Sequence, residues 1–326
     1  MNLETQTVLE DETGLRLDRY LRRHQPGLTQ GIIQKLCRTG QIRLDGKRTE
    51  PSARVVAGQA VRIPPLQPPK PKERQIVSVD EHQRKDLERR ILYRDDDVIV
   101  FDKPSGLATQ GGKGISVHLD GMLDALRFEQ TQRPRLVHRL DRETSGVILI
   151  ARHAKAAAKL AALFRGRDIE KTYWAIVLGR PMPLEGRIDQ PLLKLADHGA
   201  TRTIPAARDD EDADRALTDY QTLDYAGSKF SWLALSPLTG RTHQLRAHTA
   251  AMGTPILGDA MYGGGSVMLE DFAPILHLHA RRLVLPHPSG GRLIAEAPLP
   301  KHMQESFVRL GFDAPKPAKT VRVTGS

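Results

Sequence analysis

Five prolines fall within eight residues, Pro64-Pro65-Leu66-Gln67-Pro68-Pro69-Lys70-Pro71. No helix or central strand can run through such a stretch, because proline fixes φ and has no N–H to donate. It reads as a semi-rigid, extended spacer. The chain of 326 residues must therefore fold on either side of it. The predicted division is a small module over 1–66, a Pro-rich and charged linker over 67–90 and a larger domain over 91–312. Residues 313–326, rich in Pro, Lys and small side chains, are expected to be a flexible tail.

Charge singles out the small module. Lys and Arg exceed Asp and Glu by 49 to 39 over the whole chain, a net charge of +10. Between Leu15 and Arg48 lie nine cations (Arg16, Arg19, Arg22, Arg23, Lys35, Arg38, Arg43, Lys47 and Arg48) against Asp18 and Asp45 alone. Leu17, Tyr20 and Leu21, then Ile32, Ile33 and Leu36, have helical spacing, and Asp45-Gly46 is a hairpin signal. Helices that bury those apolar faces would turn the cations outward, where a polyanion relieves their repulsion. Leu15-Arg16-Leu17-Asp18-Arg19-Tyr20-Leu21, Ile33-Gln34-Lys35-Leu36 and Gly40-Gln41-Ile42-Arg43-Leu44-Asp45-Gly46 resemble the S4-type RNA-binding domain. Asp45 stands where that family usually has Asn, and Gln30-Gly31 replaces its usual Ser or Arg.

Other classes are excluded or disfavoured by composition. The single Cys37 rules out a disulfide framework and a Cys-rich zinc site, and suits a reducing cytosol. Apolar runs such as Val147 to Ala151 are too short to span a bilayer. The first fourteen residues hold four acidic groups and no Lys or Arg, the opposite of a secretory or mitochondrial leader. A cytoplasmic protein is expected.

Three clusters in the larger domain carry chemistry. His138-Arg139-Leu140-Asp141-Arg142-Glu143-Thr144-Ser145-Gly146 precedes the apolar strand Val147–Ile150. If that stretch is extended, Arg139 and Asp141 project to one side and pair, and a carboxylate between guanidiniums stays ionised. Taken alone, the window favours an ordinary Arg–Asp–Arg surface network. Lys171 to Gly179 is an aromatic and β-branched strand, preceded by an Ala-rich helix from Ala154 to about Phe164. In Gly240-Arg241-Thr242-His243-Gln244-Leu245-Arg246-Ala247-His248, Thr242 is expected to cap a helix running to Met252. Neither these His residues nor His277 and His279 have the companions a metal site needs, so no metal is assigned.

Together the clusters resemble the RluA family of RNA pseudouridine synthases. Residues 138–146 match its HRLDxxTSG signature. Lys103-Pro104-Ser105-Gly106 resembles the Lys-Pro-x-Gly motif, Lys171-Thr172-Tyr173 the K-x-Y motif, and residues 240–248 the third motif. Gly253-Thr254-Pro255-Ile256-Leu257-Gly258-Asp259 and Leu278-His279-Ala280 also fit. Gln110-Gly111-Gly112 and the residues around His138 look closest to the RluC branch, which acts on large-subunit ribosomal RNA. The resemblance implies an α+β chain: a small S4-like α/β module, then a catalytic domain with a mixed, largely antiparallel sheet.

It also implies site roles. Asp141 is the catalytic carboxylate, attacking the sugar or the base. Arg246 pairs with Asp141, Tyr173 stacks on the flipped base, Leu245 touches its other side, and Arg139 fills the gap left in the RNA. His138 and His243 orient loops. No cofactor is consumed, and a monomer acting on ribosomal RNA is expected. Transfer RNA is the alternative substrate, and a non-catalytic RNA-binding protein is the rival class. A glycosidase would need a second carboxylate beside Asp141, for which Glu143 is the sole near neighbour in sequence.

Overall fold

The computed structural model describes residues 4–25, 27–65, 77–112, 114–166, 168–197, 200–313 and 321–325. They belong to two compact units, Met1–Arg74 and Gln75–Ser326. The proline run from 66 onward lies outside the described residues. Among those described, no helix is long and apolar enough to cross a membrane.

The first unit contains β1 (Glu4–Thr7), α1 (Leu17–His24), α2 (Gln30–Arg38), β2 (Arg43–Leu44), β3 (Lys47–Arg48) and β4 (Ala60–Ile63). The strands form one sheet in the order β1-β4-β2-β3. Asp45 and Gly46 both take positive φ, as a tight β2–β3 hairpin requires. Leu17, Tyr20 and Leu21 of α1 and Ile33, Leu36 and Cys37 of α2 are buried together with Ile42, Val61 and Ile63. Burial pushes the Cys37 thiol up to about 11, which leaves it unreactive. With the apolar faces buried, Arg19, Arg22, Arg23, Lys35, Arg38, Lys47 and Arg48 are exposed.

The second unit opens with α3 (Glu81–Arg89), β5 (Ile91–Arg94), β6 (Val98–Lys103), α4 (Leu119–Met122), β7 (Arg135–Leu136), β8 (Ser145–Ala151), α5 (Ala154–Arg165) and β9 (Glu170–Leu178). It continues through β10 (Glu185–Asp189), the hairpin β11 (Leu192–Asp197) and β12 (Ala200–Pro205), β13 (Leu217–Ala226) and β14 (Phe230–Pro237). The last elements are α6 (Gln244–Ala251), α7 (Ala260–Gly263), β15 (Leu278–Pro286), β16 (Arg292–Glu296), α8 (Lys301–Leu310) and β17 (Val321–Thr324). Eleven strands share one sheet, with the path β10-β13-β14-β9-β15-β8-β6-β5 and β7, β16 and β17 alongside. All pairings are antiparallel except β8 with β15.

Burial explains the strand sequences. β8 is buried along its whole length, so it reads as one apolar run. Val147 and Leu149 meet Leu160 of α5, while Ile148 and Ile150 meet Phe101 and Leu123 on the other face. In β9, Ala175 and Val177 face Leu245 of α6, whereas Trp174 and Ile176 face Met303 and Phe307 of α8. This alternation puts Tyr173 on the α6 side of the sheet.

Two expected boundaries need correction. The charged segment assigned to a linker over 67–90 contains α3. An Asp80–Gln83 capping box starts this helix, and its Leu87 is buried among Ile99, Phe101 and Leu119. The tail over 313–326 contains β17, paired with β16 from Arg292–Thr324 to Ala295–Val321. There the alternation of Val321 and Val323 with polar residues outweighs the loose composition around it.

Candidate active site

Sheet register assembles the site's frame. Lys103 of β6 lies opposite Gly146 of β8, Gly146 opposite Ala280 of β15, and Ala280 opposite Tyr173 of β9. The row needs a glycine at its centre. Gly146 has φ +109°, and a Cβ there would lie 2.3 Å from the Ala280 carbonyl oxygen.

The loop before β8 is clamped on both sides of Asp141. Thr109 donates its hydroxyl to the Leu140 carbonyl at 2.6 Å and accepts the Leu140 N–H at 3.2 Å. Lys103 Nζ donates to the carbonyls of Pro104, Leu107 and Arg142 at 2.8–3.0 Å. Ser105 donates to the Glu143 carbonyl at 2.7 Å. Burial pushes the Lys103 ammonium down to about 7, against the pull of Glu143, Asp141 and Asp102. The Lys-Pro-x-Gly segment is thus the floor on which the Asp141 loop rests.

Two histidines hold the same loop. His138 stacks on Phe164 at 4.3 Å and accepts the Leu149 N–H at 2.8 Å through Nε2. Burial and the nearby Lys171 push its pKa down to about 3, so the ring is neutral. Ser145 Oγ and His279 Nδ1 are 2.9 Å apart beneath the loop, and burial pushes His279 to about 3.

Asp141 faces a cavity of about 290 Å³, lined also by Arg139, Lys171, Tyr173, Arg241, Leu245 and Arg246. Five of the residues singled out in the sequence (Arg139, Asp141, Tyr173, Leu245 and Arg246) therefore meet in one place. Asp141 is the sole carboxylate among the described residues lining it. Burial and the Asp141 charge raise the Tyr173 phenol well above its ordinary value, so it keeps its proton. Lys171 is half-buried, and its side chain has no hydrogen bond or ion pair among the described residues. Burial lowers its pKa.

Three local expectations are corrected by this geometry. First, Arg246 hydrogen-bonds Asp259 rather than Asp141. Its Nε and Nη2 reach the two Asp259 oxygens at 2.7 Å each, and the residues are 5% and 1% exposed. Burial opposes the guanidinium charge, but Asp259 and, through space, Asp141 outweigh it. Nη1 remains buried without a partner. Second, Arg139 does not pair with Asp141. The loop bends instead of running extended, and Arg139 is exposed with no ion pair among the described residues.

Third, α6 begins at Gln244, not after a Thr242 cap. His243 precedes it in the left-handed region (φ 52°, ψ 22°), with no capping bond from its side chain. The Gln244 side chain takes over the organising role. Its oxygen accepts from Thr239 and the Arg241 N–H at 2.7 and 3.0 Å, and its nitrogen donates to the Leu217 carbonyl at 2.8 Å.

Asp259 and Tyr262 were assigned no role from sequence. Asp259 caps α7 by accepting the Tyr262 N–H, a local pattern visible in the chain. Its partnership with Arg246 was not visible, because it depends on the fold.

Residues 97–251 match the family model described as RNA pseudouridylate synthase. A Rickettsia bellii protein named ribosomal large subunit pseudouridine synthase C is 36% identical over 299 residues, covering 88% of this chain and 95% of that one. The Escherichia coli protein of the same name is 34% identical, covering 93% and 95%. The solved structure of human RNA pseudouridylate synthase domain containing 4 superposes with a TM-score of 0.58 at 30% identity, over 72% of this chain and 97% of the other. With matched relatives along most of its length and its motif residues gathered around one cavity, the chain belongs to the RNA pseudouridine synthase family.

Proposed function

We propose that this synthase converts specific uridines of large-subunit ribosomal RNA to pseudouridine, with Asp141 as the reactive carboxylate. The observation that carries the reading is the cavity. It holds one carboxylate, one protonated phenol, an apolar wall at Leu245, and cations at Arg139, Lys171, Arg241 and Arg246. An inverting or retaining glycosidase needs a second carboxylate across the scissile bond, and no other lines this cavity among the described residues. Isomerisation needs only one. The N1–C1′ bond breaks, uracil turns, C5 bonds to C1′, the C5 proton leaves to solvent and N1 takes one up, so atoms balance without a cofactor.

Each site residue has work that suits its surroundings. A uridine must leave the stack to reach Asp141, at a cost of a few kcal/mol. The exposed Arg139 is free to occupy the gap. Tyr173 offers a neutral ring for stacking and a hydroxyl that donates. Leu245, buried in α6, closes the opposite face. Arg246, fixed by Asp259, places its positive charge within electrostatic reach of Asp141.

The substrate class follows from the relatives' names and from the basic first unit, read here as an S4-type RNA-binding module. The reading includes a monomer acting in the cytoplasm, where Cys37 stays reduced. Pseudouridine mapping of ribosomal RNA from cells with and without the gene tests it. Loss of defined large-subunit sites is expected. Unchanged ribosomal RNA with sites lost from transfer RNA would move the assignment to the alternative substrate.

Salt dependence tests the module. Arg19, Lys35, Arg38, Lys47 and Arg48 have no hydrogen bond or ion pair from their side chains among the described residues. Each one that meets a phosphate contributes roughly 0.7–0.9 to the slope of log affinity against log salt. Neutralising all five is expected to flatten that slope by several units. An unchanged slope would remove the module from RNA binding.

A further inference from the structure

Behind Asp141 a chain of polar groups runs outward from the cavity. The Thr203 N–H of β12 donates to the Tyr262 hydroxyl oxygen at 3.0 Å. That hydroxyl lies 3.1 Å from His243 Nδ1. His243 Nε2 lies 4.0 Å from Asp141 Oδ1. The Tyr262 ring stands edge-on to the imidazole at 87°, and its face lies 5.1 Å from the Arg246 guanidinium carbon. His243 pays for its place with a left-handed backbone, which side chains other than glycine rarely adopt.

We propose that Tyr262 and His243 are positioning residues for Asp141: the Tyr262 hydroxyl fixes His243 as the Nε2–H tautomer, and that N–H orients the carboxylate. The inference rests on Asp141 being the reactive group. The tautomer follows from counting protons. Tyr262 has one O–H, and its oxygen already accepts from Thr203. The acceptor for that O–H among the described residues is His243 Nδ1; with Nδ1 accepting, the neutral ring carries its proton on Nε2, facing Asp141. The 4.0 Å separation exceeds a direct hydrogen bond, and catalytic contacts often tighten only in the substrate complex. The charged and titratable groups around the ring support a neutral imidazole. Burial and Arg246 lower its pKa, against Asp141 and Glu143 of the loop and Asp259 before α7. Burial likewise keeps the Tyr262 phenol protonated.

The test uses the full-length enzyme and in-vitro-transcribed large-subunit ribosomal RNA carrying tritium at uridine C5. Wild-type release of that tritium establishes the reaction independently of the inference. For Tyr262→Phe, kcat is expected to fall about 5- to 10-fold, the worth of one hydrogen bond, with KM unchanged. Its acidic limb should also move to higher pH, because Nδ1 accepts only in the neutral ring and losing the donor makes protonation easier. His243→Gln, whose amide N–H can replace Nε2–H, should retain clearly more activity than His243→Ala. Nitrogen-15 shifts of the wild-type ring need no variant and should show a bare Nδ1. A protonated Nδ1, equal losses in the Gln and Ala variants, or Tyr262→Phe with wild-type kcat and acidic limb would each overturn the proposal.

Discussion

Replacing Asp141 with Asn is expected to abolish pseudouridine formation, with a loss on the order of 10⁴-fold or more in the single-turnover rate. The substitution keeps the shape of the side chain and removes its charge. The loop around it should not move, because its anchors are backbone carbonyls held by Lys103, Ser105 and Thr109. RNA affinity should stay within a few-fold of wild type, since the cations proposed to meet phosphate are untouched. Filter binding beside tritium release from C5 separates the two effects. An Asn variant that still turns over would show that the carboxylate is not the reactive group. One that no longer binds RNA would show that its charge serves the ground state.

The second large effect concerns stability. Changing Asp259 to Asn strands the buried Arg246 guanidinium beside a neutral amide, and breaking a buried pair from one side costs about 3–5 kcal/mol. Spread over a unit of roughly 250 residues, that cost lowers Tm by about 6–20 °C. Calorimetry on the double variant Arg246→Met/Asp259→Leu supplies the comparison. With both charges gone and the volume filled, most of the lost stability should return. Activity should not return, because the charge that Arg246 directs at the Asp141 region is also gone. A double variant as unstable as the single one would mean that packing around Asp259, not the ion pair, holds this part of the molecule.

Much of this architecture was legible in the chain because local patterns and tertiary burial point the same way. Val147–Ile150 reads as a strand because both faces of β8 are buried. Ala154–Phe164 reads as a helix because its apolar side chains recur at helical spacing over β8. The five site residues were legible through their motifs, and they do share a cavity. What was not legible is which charge meets which. Arg246 and Asp141 carry opposite signs in separate motifs, yet Asp259 sits beneath Arg246 because α6 and α7 meet there. No periodicity in the chain encodes that distance. The missed α3 and β17 follow another rule: α3 is charged and β17 lies in a loose-looking stretch, and each is held by a cap or by an edge pairing that composition does not report.

The position of β15 has a consequence for synthesis. β8 and β9 carry Gly146 and Tyr173, yet they are not neighbours. β15 lies between them, and its link to β8 joins Ser145 and His279 across 134 residues of chain. A growing polypeptide therefore holds Asp141 and Tyr173 long before anything fixes the distance between them. The first unit, by contrast, has its described strands within residues 4–63 and can fold while the rest is being made. The order of translation thus separates two events in time: the unit proposed to bind RNA can be complete well before the catalytic cavity exists.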